Sequence, residues 1–190
     1  MFVTVTELWC NKKDTEELNN NNKNVGAFLS YRVAAQKYIM ANTYTQLYYH
    51  LVFVVKGRAK LISKEWEEDL YRYINGLIKN RNQKLMKING MPDHIHLLIG
   101  ANPSCNLSDL VRDIKVSSTK WINEGRQHNP KFNWQIGFAA FTKGQSQVGV
   151  VSRYIENQKK HHRTKTTKEE YVELLVEYGI DYKEEYLFDL

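Results

Sequence analysis

The chain has 190 residues, 42% of them apolar and 25% charged, which is enough for one domain with a hydrophobic core. Its formal net charge of +6 fits a polyanionic partner, although many ordinary proteins share it. The chain has only two cysteines, which argues against a disulfide framework. It has no apolar run of about 18 residues, which argues against a membrane-spanning helix, and its N-terminus shows no secretory signal. We therefore expect a cytoplasmic protein with no membrane partner.

The first 39 residues differ in composition from the rest of the chain. Residues 19–24 are five asparagines and one lysine, a polar tract typical of a solvated loop. Residues 26–39 are more apolar but show only a weak pattern. We expect residues 1–39 to be an atypical N-terminal extension, either an artefact of an upstream start codon or a real appendage, and residues 40–190 to be the main domain.

The remaining chain reads as alternating strands and helices. In chain order we predict a strand at 44–55, a helix at 63–80, strands at 84–89 and 94–99 joined by a turn, a helix from 106 or 108, a strand at 134–142, a helix at 146–163 and an amphipathic segment at 168–178. The order β-α-β-β-α-β is the split βαβ, ferredoxin-like (RRM-like) pattern of an α+β protein. It predicts an antiparallel sheet with helices on one face, followed by an additional C-terminal helix.

His94-Ile95-His96 lies in an apolar run that reads as a buried strand. Because side chains alternate along a strand, we expect His94 and His96 to share one face and Ile95 to lie on the other. Two adjacent imidazoles are half of a metal site. Taken alone, however, such a pair is more often satisfied by hydrogen bonds within a core.

Tyr154 and Gln158 are four residues apart on the helix predicted at 146–163, so they lie on one face at the edge of its apolar stripe. A tyrosine there can simply pack its ring, or it can offer a phenolate nucleophile beside a metal, with Gln158 as a neutral oxygen ligand. Taken alone, the packing interpretation is favoured. The H-x-H motif about 60 residues earlier favours the functional one.

Together these residues resemble the single-tyrosine transposases of the HUH class, the IS200-like transposase family, which move small bacterial insertion sequences as single-stranded DNA. His94-Ile95-His96 matches the motif of histidine, hydrophobic residue, histidine, and residues 154–158 match the tyrosine motif Y-x-x-x-Q. Residues 40–48 and 137–141 are also similar. H-x-H alone is weakly specific, whereas the two motifs in this order and at this distance are strongly specific.

The resemblance implies that Tyr154, on a C-terminal catalytic helix, is the nucleophile and that a divalent metal is held by three ligands, His94, His96 and Gln158. It implies magnesium in the cell, with manganese able to substitute, and DNA cleavage and rejoining through a 5′-phosphotyrosine intermediate. Relatives are homodimers that bind single-stranded DNA hairpins near the ends of the insertion sequence. In them the tyrosine helix of one subunit can complete the histidine site of the other.

Several other polar residues carry two interpretations each. His50 is expected to be structural, with a ligand or DNA-contact role as the alternative. Asp93 either forms the turn before the H-x-H or orients a histidine. His161 and His162 are expected at a solvated helix end, and the alternative is that they bind phosphate or assist the tyrosine. Candidate phosphate contacts are Lys115, Lys120, Arg153 and Lys159.

Positive charge is concentrated in the part of the chain that holds the tyrosine. Residues 107–165 carry 11 lysines and arginines against 4 acidic residues, whereas residues 168–190 carry 2 against 8. This distribution places cationic surface where DNA phosphates would approach Tyr154. For any single lysine, a solvated helix face is the alternative explanation.

Two other functions stay open. The first is an HUH nickase of replication or conjugation, or a domesticated relative that processes repeated palindromes. Many relaxases carry a third histidine downstream of the H-x-H, where this chain has leucine and isoleucine and offers Gln158 instead, and this favours the transposase. The second is a non-catalytic ferredoxin-like nucleic-acid-binding module, which needs neither the H-x-H nor the tyrosine.

Overall fold

The computed structural model describes residues 44–125 and 131–188, so the predicted extension and its boundary lie outside the described residues. The described elements belong to one structural unit, Thr45–Leu190. They are β1 (Leu47–Val54), α1 (Glu67–Asn80), β2 (Lys84–Met91), β3 (His94–Ala101), α2 (Leu107–Gly125), β4 (Ala139–Lys143), α3 (Gln145–Glu156), α4 (Gln158–His161) and α5 (Thr167–Glu177), with 3₁₀ turns at Lys56–Arg58 and Glu184–Tyr186.

The four strands form one antiparallel sheet in the order β2-β3-β1-β4. With α1 between β1 and β2, and α2 between β3 and β4, this is the ferredoxin-like α+β arrangement. The fold predicted from the order of elements is therefore confirmed. The order places β1 and β3, the strands richest in buried residues, at the centre of the sheet.

One face of the sheet is apolar and carries the main core. Leu51 and Phe53 of β1 and Leu97 of β3 pack there with the inner faces of α1 and α2. Alternation along the strands assigns the remaining residues to the opposite face. As a result, the histidines of β1 and β3 point away from the main core.

The opposite face is covered by the C-terminal helices. Val151 and Ile155 of α3 pack on Leu98 of β3, while α5 contributes leucines that pack beside Val52 of β1. Both helices thus lie over the face that carries the histidines. Within the described residues, no helix is both long and apolar enough to cross a membrane.

The predicted strand at 134–142 is only partly correct. Strand β4 begins at Ala139, and before it Trp134 makes an isolated bridge to Val55. Gly137 has a φ of 80°, a left-handed conformation that ordinary strand residues do not adopt, so the chain turns there before pairing with β1.

Candidate active site

His94 and His96 lie side by side on β3 and face the C-terminal helices, as the alternation predicts. Both side chains are fully buried. The Nδ1 atom of His94 is 2.8 Å from Asp93 Oδ1, and the hydroxyl of Thr167, at the start of α5, donates to Asp93 Oδ2 at 2.7 Å. Asp93 therefore fixes the ring of His94, which leaves its Nε2 atom directed into the site.

His96 is held by a histidine of the neighbouring strand. Its Nδ1 atom is 2.9 Å from His50 Nε2, so one ring donates and the other accepts. The two rings are stacked, with centroids 5.1 Å apart. His50 is thus a partner of His96, and its Nε2 atom is already engaged, so the structure offers no support for His50 as a third ligand through that nitrogen.

Tyr154 projects from α3 toward the same histidines of its own chain. Its ring packs edge-on against His96 and His50, with centroid separations of 5.8 Å and 6.0 Å. Its hydroxyl donates a hydrogen bond to Glu170 Oε1 on α5. The ring is therefore packed, as the packing interpretation predicts, and the hydroxyl also reaches the site, as the functional interpretation requires.

Gln158 reaches the site because the predicted helix at 146–163 is interrupted. The amide nitrogen of Asn89, on β2, donates to the carbonyl oxygens of Ile155 and Glu156 at 3.0 Å and 2.9 Å. The backbone N–H of Lys160 then bonds to Asn157 instead of continuing the helical pattern. The chain restarts as α4 at Gln158, whose fully buried side chain donates to Glu170 Oε1 at 2.8 Å.

Glu170 is the residue that the sequence interpretation missed, and it lies at the centre of the site. It is 3% exposed. Its Oε2 atom is 2.8 Å from the Nε2 atom of His162 and 3.3 Å from those of His94 and His96. The available signal was its position on α5, since Glu170 lies three residues after Thr167 and four before Leu174 on the buried helical face, where a carboxylate is unusual.

The pair His161 and His162 is placed differently from the prediction. His162 is not at a solvated helix end, because its side chain is 4% exposed and its second ring nitrogen lies 2.9 Å from the carbonyl of Lys165. His161 is about one-third exposed, and its Nε2 atom is 4.0 Å from Glu170 Oε1. His162 thus contacts the centre directly, whereas His161 stands at its edge.

Charge at the centre is unevenly distributed. Burial disfavours the charged form of His94, but its hydrogen bond to Asp93 and the Glu170 carboxylate outweigh this effect and raise the pKa of His94 to about 9. Burial lowers the pKa of His96 and of His50. Although burial opposes ionisation of Glu170, its histidine partners hold its pKa well below the usual range.

The same environment keeps the tyrosine neutral. Burial, followed by the negative charge of Glu170, raises the pKa of Tyr154 above that of a free phenol. To act as a nucleophile, Tyr154 would therefore need a positive charge near Glu170 to offset the carboxylate.

A divalent cation fits the donor set at this centre. Among the described residues, the buried atoms His94 Nε2 and Gln158 Oε1 have no hydrogen-bond partner, and leaving such atoms unsatisfied costs about 1–3 kcal/mol each. Imidazole nitrogens combined with amide and carboxylate oxygens suit Mn²⁺ and, through the oxygens, Mg²⁺. A metal would thus satisfy both atoms, of which His94 Nε2 otherwise has, within the residues described, only its ion pair with Glu170.

We expect metal affinity to rise with pH. The metal must displace the proton of His94, whose pKa is about 9. The apparent affinity for Mn²⁺ should increase by up to about tenfold per pH unit and level off near pH 9. Calorimetry in buffers of different ionisation enthalpy would measure the released proton, and an affinity that is flat between pH 6.5 and 8.5 would contradict the expectation.

The ionisation of His94 should also affect the stability of the metal-free protein. Because folding raises the pKa of His94 from about 6.5, its contribution is full below that pH and is lost as the pH rises toward 9. The free energy of unfolding of the metal-free protein should therefore decrease across this interval.

His50 offers a test of how His96 is oriented. In His50→Phe an aromatic ring remains beside Phe141 and Tyr154, but the bond to His96 Nδ1 is lost. We expect the affinity for Mn²⁺ to fall about 10- to 100-fold. His50→Gln, which keeps a hydrogen-bonding group, should recover part of this loss; an unchanged affinity in His50→Phe would assign His50 to packing alone.

The four candidate phosphate contacts are scattered. Lys115 and Lys120 lie on α2, across the sheet from the histidines, and Lys115 is bonded to the carbonyls of Gln135 and Gly137. Arg153 is exposed on α3. Lys159 forms an ion pair with Glu67.

A cationic cavity opens next to the site. It has a volume of about 490 Å³, and its lining includes Arg58, Lys60, His162 and Lys165. Three of these side chains are basic, and sequence spacing did not single them out.

Comparison with known proteins agrees with the geometry. A model of the family described as Transposase IS200 like matches residues 43–158. The ISDra2 transposase TnpA of Deinococcus radiodurans is 26% identical over 118 residues, which cover 60% of this chain and 84% of that protein.

Two solved structures have a similar fold. One is a protein from Deinococcus radiodurans R1 described as a transposase, with a TM-score of 0.51 and 24% identity, covering 62% of this chain and 94% of that one. The other is a REP-associated tyrosine transposase bound to a REP hairpin, with a TM-score of 0.50 and 16% identity, covering 64% and 72%. The family match spans more than half of the chain and includes both motifs, and the chain therefore belongs to the IS200-like transposase family.

Proposed function

We infer that this transposase binds single-stranded DNA hairpins at insertion-sequence ends and cleaves and rejoins the DNA through a 5′-phosphotyrosine, with the help of a divalent metal. The observation that carries this proposal is the convergence of Tyr154, His94, His96 and Gln158 on one point within a single chain. Elements distant in sequence bring these side chains together. Packing alone requires no such combination of a hydroxyl and metal-ligating groups.

The chemistry follows from the nucleophile. The phenolic oxygen of Tyr154 attacks the scissile phosphorus, the bond from phosphorus to the 3′ oxygen breaks, and the proton lost by the phenol is balanced by the one gained at the released 3′-hydroxyl. The phosphotyrosine conserves the energy of the phosphodiester. A 3′-hydroxyl of another strand can therefore reverse the step and join new ends without an external energy source.

A divalent ion on His94, His96 and Gln158 would polarise the scissile phosphate and stabilise the leaving oxygen. We expect Mg²⁺ in the cell and Mn²⁺ as an effective substitute. Asp93 and His50 hold the two imidazoles in orientations that direct nitrogen atoms toward the site.

The cationic cavity supports an approach for DNA beside His162. Arg58, Lys60 and Lys165 line it together with one carboxylate, Asp93, and this excess of positive charge would attract a phosphate backbone. The hairpin bound to the structurally similar REP-associated transposase supports a hairpin as ligand for this chain too. Of the four lysines and arginines chosen from the sequence, Arg153 lies on α3 with Tyr154 and Lys159 lies on α4, the next helix, and these two remain candidates.

The proposal includes a homodimer acting in the cytoplasm, where its DNA substrate is found. Tyr154 lies against the histidines of its own chain, which supports cleavage by a site assembled within one subunit. Helix exchange between subunits, which the resemblance allows, is not needed to complete this site.

Labelled single-stranded oligonucleotides that carry the hairpins flanking the gene test the proposal. We expect a protein–DNA adduct on denaturing gels that forms with Mg²⁺ or Mn²⁺, disappears with chelator, and maps by mass spectrometry to the peptide containing Tyr154. Addition of a second strand should give joined products. Cleavage without joining would indicate a nickase, and tight hairpin binding with no adduct would indicate a binding module.

A further inference from the structure

Glu170 is a buried carboxylate that the proposed mechanism has not yet used. It lies on α5, beyond residues 43–158, which match the family model. The motifs within that segment therefore do not predict it. In the described part of the chain, all its ion-pair partners are histidines. A buried carboxylate is costly unless it is paired, so its place among the proposed metal ligands requires an explanation.

The distances around Glu170 match those within a coordination shell. Two ligands at about 2.1 Å from an octahedral ion and at right angles to each other lie about 3.0 Å apart. The Oε2 atom of Glu170 lies 2.8–3.3 Å from the Nε2 atoms of His94, His96 and His162. Ligand atoms of His94, His162 and Glu170 all lie within 4.8 Å of one another. Without an ion, hydrogen bonds to His96 and His162 and an ion pair with His94 hold the carboxylate in place.

The charges at the centre agree with a dication. Two carboxylates, Asp93 and Glu170, flank His94, and a divalent ion bound among them would balance both negative charges. The set of two imidazoles and an amide oxygen contains no anionic ligand. Magnesium favours carboxylate oxygens, so Glu170 would supply the ligand type that this set lacks.

We propose that Glu170 is an additional, anionic ligand of the catalytic metal, with His162 next to it in the same shell. This inference rests on the metal-dependent function proposed above. Its consequence is that α5 takes part in the active site of this chain. With Glu170 on the ion, its negative charge would be shared with the metal, and the hydrogen bond that its carboxylate accepts from the Tyr154 hydroxyl would be weaker.

Binding of Mn²⁺ to the full-length protein without DNA tests the proposal. The loss of the free-ion signal in electron paramagnetic resonance gives the dissociation constant. We expect Glu170→Gln to weaken binding at least tenfold, and Glu170→Asp, which keeps the charge but is one methylene shorter, to give an intermediate value. The matched control is Glu173→Gln, an exposed carboxylate one turn along α5, which should bind within twofold of wild type.

The outcomes separate the two proposals. Wild-type affinity in Glu170→Gln, together with lost binding in His96→Ala, would overturn the role of Glu170 and leave the histidine centre intact. Tighter binding in Glu170→Gln would also overturn it, because the carboxylate would then be blocking the site. No binding by the wild type would overturn both proposals. Circular dichroism of each variant checks folding, and Glu170→Asp serves if the glutamine variant does not fold.

Discussion

Replacing Tyr154 with phenylalanine should abolish the covalent protein–DNA adduct. The hydroxyl of Tyr154 is the only part of the side chain that changes, and no phosphotyrosine can form without it. We expect cleavage to fall by a factor on the order of 10³ or more. The measurement is adduct formation on denaturing gels with the labelled hairpin oligonucleotides.

Folding and hairpin binding should survive this substitution. The ring keeps its edge-on contacts with His96 and His50, and Glu170 Oε1 still accepts a hydrogen bond from Gln158. Loss of one hydrogen bond costs about 1 kcal/mol of stability. An unchanged melting temperature to within a few degrees and an unchanged hairpin affinity would show that only the chemistry is lost.

A second tyrosine provides the matched control. Tyr73 stacks on Trp121 on the other side of the sheet, with ring centroids 5.1 Å apart, so Tyr73→Phe removes a hydroxyl far from the centre. It should form the adduct at the wild-type rate. Adduct at the wild-type yield in Tyr154→Phe would instead identify a different nucleophile and contradict the proposed mechanism.

The fold and the two motifs were accessible to sequence reasoning for simple physical reasons. Alternation on a buried strand places His94 and His96 on one face, and the order of elements leads to the antiparallel sheet found in the structure. Tyr154 and Gln158, predicted to share one helix face, both contact Glu170 Oε1, although the helix is broken between them. These features depend on local periodicity, which a single sequence displays directly.

The interrupted helix was not accessible in the same way. The break after Glu156 depends on Asn89, which is 66 residues away from Ile155 and takes up the carbonyl oxygens at the end of α3. The hydrophobic periodicity of residues 146–163 does not predict this contact. A side chain from another strand therefore decides where the helix ends and how Gln158 enters the site.

Glu170 was missed because its role is tertiary. On α5 it looks like one acid among several, with Glu169 and Glu173 nearby. Glu169 caps the helix and Glu173 is exposed, whereas Glu170 alone of the three is buried. These roles differ only because α5 packs over the histidine face of the sheet, and the sequence pattern predicts this packing only weakly.

Replacing His96 with alanine should remove metal binding and with it the activity. His96 is fully buried, its ring is fixed by His50, and its Nε2 atom faces the centre. Loss of a residue that only orients a ligand costs about 10- to 100-fold in metal affinity, so we expect loss of the ligand itself to cost more than 100-fold. Titration with Mn²⁺ and the adduct assay measure the two effects separately.

A mixture of His96→Ala and Tyr154→Phe then shows whether one chain supplies the whole site. The His96→Ala chain keeps Tyr154, and the Tyr154→Phe chain keeps His96. If the site were shared between subunits, the mixture would therefore regain up to about a quarter to a half of the wild-type activity. Tyr154 lies against the histidines of its own chain, with ring centroids 5.8 Å apart, and we therefore expect no recovery. Recovery of the adduct on the His96→Ala chain would show that its tyrosine acts in a partner's site. Because each variant alone should form almost no adduct, even a small recovered yield would be measurable and would contradict assembly within one subunit.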